Sequence, residues 1–187
     1  MQRIGWLDLA LEKFWLRYSR LNPLLRFGLK FCVLFGTTDA LSITSWSDRP
    51  LAVFLAAYAR ATNWILVVCG QHSYVAGATI QGPGVALTIM RGCDAIDPIL
   101  VLCAGIAAYP ASWRSRAIGL LLGVPALIVM NIVRILSLYV IRLKAPALFE
   151  PVHLQIWPVA FVLLAGLLWI TWMRWAIKAE ESSNAAV

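Results

Sequence analysis

Charge is scarce in this chain. Asp, Glu, Lys and Arg make up 13% of its 187 residues, against about 25% in an average soluble domain. With 61% hydrophobic residues, too little polar surface remains to clothe a water-soluble globule, and the chain belongs in lipid. Acid is scarcer than base, and the net charge is +7. The basic surplus sits beside long apolar runs, not on a polar surface interleaved with aromatics, which argues against nucleic acid as a partner. Cys32, Cys69, Cys93 and Cys103 lack both metal-ligand spacing and a disulfide framework. Cys32 and Cys103 fall inside apolar stretches, where a thiol behaves as a small hydrophobe. Neither a metal nor an organic cofactor is implied. The Gly-x-Ser-x-Gly and His-Glu-x-x-His motifs are missing, which removes two common hydrolase signatures. No linker, low-complexity tract or repeat divides the chain, so one compact membrane domain is expected.

What is present is a set of apolar runs. A crossing helix needs about 20 mostly apolar residues, and residues 27–46, 95–110, 117–141 and 156–173 qualify. They predict an all-α integral membrane protein with about four transmembrane helices. The expected divisions are a leader over 1–26, a membrane domain over 27–175 and a polar tail over 176–187. In the leader, Ile4, Leu7, Leu11, Phe14, Trp15 and Tyr18 recur at helical spacing opposite Asp8, Glu12, Lys13 and Arg17. This pattern predicts a helix lying on the inner membrane surface and kept in the mature protein.

Four crossings put three basic clusters on one side: Arg3, Lys13, Arg17, Arg20, Arg26 and Lys30; Arg114 and Arg116; Arg174 and Lys178. The positive-inside rule makes that side cytoplasmic. Residues 51–68 have the length for a fifth crossing. A fifth crossing would carry one basic cluster outward, so an interfacial helix is the expectation there. Beyond it, residues 74–80 and 85–91 flank Gln81-Gly82-Pro83-Gly84 with period-two alternation, which predicts a small extracytoplasmic β-hairpin. Trp157, Trp169, Trp172 and Trp175 are expected in interface belts.

Under this topology three chemically capable residues reach the outer face. Cys93 stands in Arg91-Gly92-Cys93-Asp94 at the start of the second span, and His153 precedes the last. Arg134 lies in Asn131-Ile132-Val133-Arg134-Ile135, within the third. A thiol is a strong nucleophile once ionised, an imidazole moves its proton, and a permanently charged guanidinium stabilises thiolate or oxyanion. Asn131 shares a helical face with Arg134 and would hold the guanidinium, the substrate backbone or a neighbouring helix. Asp94 and Asp97 are candidate partners for Arg134. His72 is a second outer histidine, and Cys69 would compete by pairing with Cys93 in an oxidising compartment.

Cys93, the Asn131 to Ile135 run and His153, in that order along outer ends of successive spans, resemble the Cys, Arg and His motifs of the exosortase/archaeosortase family. The likeness covers roughly residues 51–175. The Tyr109-Pro110-Ala111-Ser112-Trp113-Arg114 loop and the segment from Phe149-Glu150 to Trp157 are most similar to exosortase H. The resemblance implies a cysteine transpeptidase of the bacterial inner membrane, its site facing the periplasm, with Cys93, Arg134 and His153 catalytic and Asn131 and Asp94 supporting. Its partners would be exported proteins bearing a C-terminal sorting signal: a short motif of the Ile-Pro-Thr-Leu-x-x-Trp-Gly type, a membrane helix and a basic tail. The acceptor is unspecified. Ala95 stands where the family often has glycine. Two alternatives stay open on the residues alone: a membrane protease that releases its substrate by hydrolysis, and a non-catalytic scaffold.

Overall fold

The computed structural model describes Tyr18, residues 21–44 and residues 48–184. The amphipathic helix expected in the leader, apart from Tyr18, lies outside the described residues. Helix α1 (Pro23–Ser42) opens with Asn22 accepting a hydrogen bond from the Leu24 N–H at 3.0 Å and with proline in the first turn, where the missing N–H costs nothing. Helix α2 (Asp48–Val68) follows. Strands β1 (Tyr74–Ala76), β2 (Thr79–Gly82) and β3 (Val85–Thr88) form an antiparallel sheet in that order. Helix α3 (Ile96–Ala108) then runs away from the sheet, and α4 (Trp113–Lys144) returns. Short helical turns over residues 146–156 lead into α5 (Trp157–Asn184).

Two apolar cores organise these elements. One lies where α2 and the upper end of α4 cover the sheet, with Tyr58, Leu66, Ile80, Leu87, Ile135 and Tyr139 at its centre. The other joins α3, α4 and α5 through Leu102, Ile106, Leu127, Phe161 and Trp172, while α1 packs along α3. On α4 the buried positions include Leu127, Asn131, Arg134, Ile135, Leu138 and Tyr139, the three-and-four spacing of one helical face. The stripe therefore carries its two polar residues inward.

Three helical stretches are long and apolar enough to cross a membrane by length and composition: Asp48–Val68, Trp113–Lys144 and Pro146–Ser182. Ile96–Ala108 is apolar but shorter. The chain is a multi-pass, mostly helical membrane protein with a small sheet. By length and composition α2 also suits a crossing, but its first residue, Asp48, lies 3.6 Å from Arg91 beside the Cys93 turn and its far half covers the sheet. Both of its ends therefore sit on one side, as the interfacial expectation has it. Helix α1, which carries Arg26, Lys30 and Asp39, packs along α3 and ends where Arg91 donates to the Ser42 carbonyl at 2.7 Å. Several expectations need correction. The hairpin is a three-stranded sheet, because Gly77, at φ 63°, breaks the run over 74–80 into β1 and β2. Gly84, at φ 77°, makes the second turn as the Gly-Pro-Gly signal indicated. Helix α5 continues through most of the expected polar tail.

Of the four tryptophans expected in interface belts, Trp172 turns inward while Trp175 stays exposed. Trp172 is buried and donates its indole N–H to the Ser115 carbonyl at 2.7 Å, and its ring lies flush against Gly119. A side chain at Gly119 would overlap the indole, whereas one at Gly36 would meet open space. Gly119→Ala should therefore lower stability by about 1–3 kcal/mol through overpacking. Thermal unfolding in detergent will read this as a lower melting temperature, with Gly36→Ala, which trades glycine for a better helix former, no less stable than the native chain.

Candidate active site

Cys93 stands where the two cores meet. β3 leads into a tight turn closed by the Cys93 N–H donating to the Met90 carbonyl at 2.9 Å, with Gly92 at φ 86°. The Asp94 carboxylate then accepts the Ile96 N–H at 3.0 Å and starts α3, the turn-forming habit of a short acidic side chain. Between them Ala95 adopts φ 60°, the one non-glycine residue with positive φ among those described. That conformation costs an L-residue about 1–2 kcal/mol, so the departure from glycine noted in the sequence leaves the turn in place at the expense of strain.

The structure brings the other two candidates to this turn. The Cys93 Sγ lies 3.0 Å from His153 Nε2, and an Arg134 Nη2 lies 3.9 Å from the same sulfur. The other terminal nitrogen of Arg134 donates to the Gly92 carbonyl at 3.3 Å, and Asn131 Nδ2 donates to the Cys93 carbonyl at 3.0 Å. A widened π-helical turn, Val152–Ile156, carries His153, and its ring packs against Phe149. His72 lies in the loop before β1 with its carbonyl beside Gly82, so His153 is the imidazole at the thiol. Cys69 and Cys93 are both free thiols.

Arg134 is only 5% exposed. Asp94 and Asp97 are not its ion-pair partners: among the described residues no carboxylate lies within salt-bridge distance of it. Its charge rests on the Gly92 carbonyl, the sulfur and the face of Phe161, whose ring centre is 5.7 Å away, and its Nε–H has no partner among the described residues. Two contacts were not foreseen from sequence. Ser137 donates to the Arg134 carbonyl at 2.7 Å, and the Trp157 indole donates to Ser137 at 3.1 Å. This chain ties the start of α5 to α4. Its only sequence signal is Ser137 three residues beyond Arg134 on the same helical face.

Burial pushes the Cys93 thiol above its ordinary pKa, and nearby Asp94 adds to the rise. Arg134 pulls it down, as does a Met90 backbone hydrogen bond, without cancelling the burial. The resting group is therefore mainly the thiol, and ionising it calls on the adjacent imidazole. A cleft of about 440 Å³, lined by Cys93, His153, Arg142, Glu150 and the β3 segment, opens on the sulfur. An apolar groove of about 340 Å³ between α3 and α5 reaches Arg134 from the other side. Thiol, proton acceptor and fixed cation thus converge between two openings, the set that acyl transfer through a thioester requires.

A family model described as transmembrane exosortase (Exosortase_EpsH) matches residues 24–170. The protein belongs to the transmembrane exosortase family, whose members are membrane sorting enzymes acting on exported proteins. No curated protein and no solved structure matches the chain.

Two outcomes test the geometry. The alkylation rate of Cys93, followed against pH in a Cys69→Ser background, should shift to higher pH in Arg134→Gln, because the thiolate loses its cation. In Asp94→Asn, which removes a neighbouring negative charge, the profile should shift to lower pH. At Ala95, glycine relieves the strained backbone but gives up a buried methyl worth about 0.8 kcal/mol. Ala95→Gly should therefore change stability by less than about 1 kcal/mol, whereas the β-branched Ala95→Val should cost at least about 2 kcal/mol, both read by thermal unfolding.

Proposed function

We propose that this exosortase is a cysteine transpeptidase that cuts the C-terminal sorting signal of exported proteins at the outer face of the inner membrane and passes them to an acceptor. The reading is carried by one observation: the Cys93 sulfur has the His153 imidazole at 3.0 Å and the buried Arg134 guanidinium at 3.9 Å. His153 takes the thiol proton as Sγ attacks the scissile carbonyl carbon. Arg134, with no carboxylate among the described residues within salt-bridge reach, stabilises the negative charge that develops on sulfur and on the carbonyl oxygen. The C–N bond breaks, and the imidazolium returns its proton to the leaving amine, leaving a thioester on Cys93. An acceptor amine or hydroxyl then gives its proton to His153 as it attacks the thioester, and the thiol is restored. Asn131 and Asp94 position the sulfur by holding the two sides of its turn.

The orientation follows from charge. Arg114 precedes Arg134 by 20 positions on α4, roughly 30 Å of helix and about one hydrocarbon thickness. Arg174 and Lys178 lie toward the end of α5 remote from His153. The basic clusters thus mark the cytoplasmic side and leave Cys93 facing the periplasm.

A tagged exported reporter ending in a motif of the Ile-Pro-Thr-Leu-x-x-Trp-Gly type, a membrane helix and a basic tail tests the mechanism. Processing should vanish in Cys93→Ala and fall about 100- to 10,000-fold in His153→Ala. Arg134→Ala should reduce it about 100- to 1,000-fold. Undiminished processing by Cys93→Ala would end the proposal. Mass spectrometry of the new C-terminus separates transfer from hydrolysis: an added group is expected, and a free carboxylate argues for a protease. An impermeant maleimide applied to intact spheroplasts should label Cys93 in the Cys69→Ser background, and labelling only after lysis would reverse the orientation.

A further inference from the structure

The free edge of the sheet runs into the same cleft as the thiol. In the order β1-β2-β3, strand β3 has one neighbour and one open edge. Its register pairs Leu87 with Ile80 and Thr88 with Thr79, and the Ile89 N–H donates to the Ala78 carbonyl at 2.9 Å. Hydrogen-bonded pairs alternate along an antiparallel ladder. Residues 85, 87 and 89 therefore spend their backbone groups on β2, while Ala86 and Thr88 direct N–H and C=O outward. The threonine hydroxyls of the Thr79–Thr88 pair, 3.0 Å apart, fix that register.

Five consecutive residues, Ala86 to Met90, line the cleft that also holds Cys93 and His153. A cleft lying on a face of the strand would meet alternate residues only; five in a row mean that it follows the edge. Natural sheets blunt such edges with Lys, proline or a bulge. The strand Val85-Ala86-Leu87-Thr88 carries neither Lys nor proline and pairs residue for residue with β2.

We propose that the substrate segment just before the scissile bond binds as an added strand on β3, held by the outward backbone groups of Ala86 and Thr88. This rests on the catalytic reading above and adds to it how the peptide is held. β3 points toward Cys93 through the Met90–Cys93 turn, and the acyl half of a substrate also runs toward its scissile carbonyl. The added strand is therefore parallel to β3. The rest of the substrate then turns into the membrane as the enzyme's own chain does in passing from β3 to α3. Main-chain pairing of this kind supplies affinity, and the alternate side chains that face the cleft supply selectivity.

Proline scanning on both partners tests it, using the same coexpressed reporter. In the enzyme, Ala86→Pro removes only an outward N–H group, a position where edge strands tolerate proline. Thr88→Pro removes an outward N–H together with the hydroxyl that faces Thr79, a loss that Thr88→Val reproduces without touching the backbone. Each proline variant should slow reporter processing about tenfold, the effect of one lost backbone hydrogen bond, while Cys93 is still alkylated at the native rate. If either variant loses that alkylation through misfolding, the reporter scan with native enzyme decides. Proline placed in turn at each residue before the cleavage point should impair processing at every second position. Processing at the native rate by both folded strand variants, or a reporter scan without alternation, overturns the added strand while Cys93 dependence stands. A Thr88→Cys variant should cross-link to a reporter cysteine just before the cleavage point, and cross-linking to a second copy of the enzyme instead overturns it too.

Discussion

The arrangement depends on a guanidinium held inside a membrane helix with no carboxylate among the described residues within salt-bridge reach. An arginine at the centre of a crossing helix costs about 2.5–3.5 kcal/mol on insertion scales, and Arg134 is almost wholly buried. Its compensation comes from a backbone carbonyl, a sulfur and an aromatic face. Two of these belong to the turn that carries Cys93, so satisfying the charge and placing the thiol are one structural event. The sheet and α2 build one core above this point, and α3, α4 and α5 build the other below it. A paired arginine would have been easier to bury but would have had less to offer a developing negative charge.

Around that cation the site balances opposing demands. Partial burial of the sulfur disfavours the thiolate, and Asp94, needed to start α3, disfavours it further. Arg134 opposes both without reversing them. In the proposed mechanism the ionisation step therefore falls to His153, 3.0 Å from the sulfur. The strained φ of Ala95 belongs to the same account, since it lets the chain leave β3 and enter α3 within a few residues of the cation.

Much of this was legible in the sequence because charge in an apolar chain is conspicuous. Arg134 stood out against its run, and Cys93 and His153 followed from the order of the spans. Asn131 followed from helical spacing. The missed features depend on three-dimensional context that periodicity does not encode. Period two over residues 74–80 cannot register that Gly77 turns the chain back on itself. Counting basic residues set α2 aside as interfacial although its length and composition also suit a crossing, and the Asp48–Arg91 contact at one end and the sheet at the other agree with the charge count. Tryptophan's preference for the headgroup level gave no hint that Trp172 would fit against Gly119. Nor did the pairing preference of Arg for Asp foretell that Asp94 would be engaged by a backbone amide.

The widened turn over Val152–Ile156 separates two functions within one nearly continuous helical run. A residue inserted into an α-helix rotates everything after it by about 100°. The angular setting of the His153 imidazole is thus offset from the one an unbroken α-helix would give it relative to Phe161, Ala165 and Trp172 below. One extra residue lets a single helical run present the imidazole to the Cys93 turn and, farther along, Phe161, Ala165 and Trp172 to the core between α3 and α4.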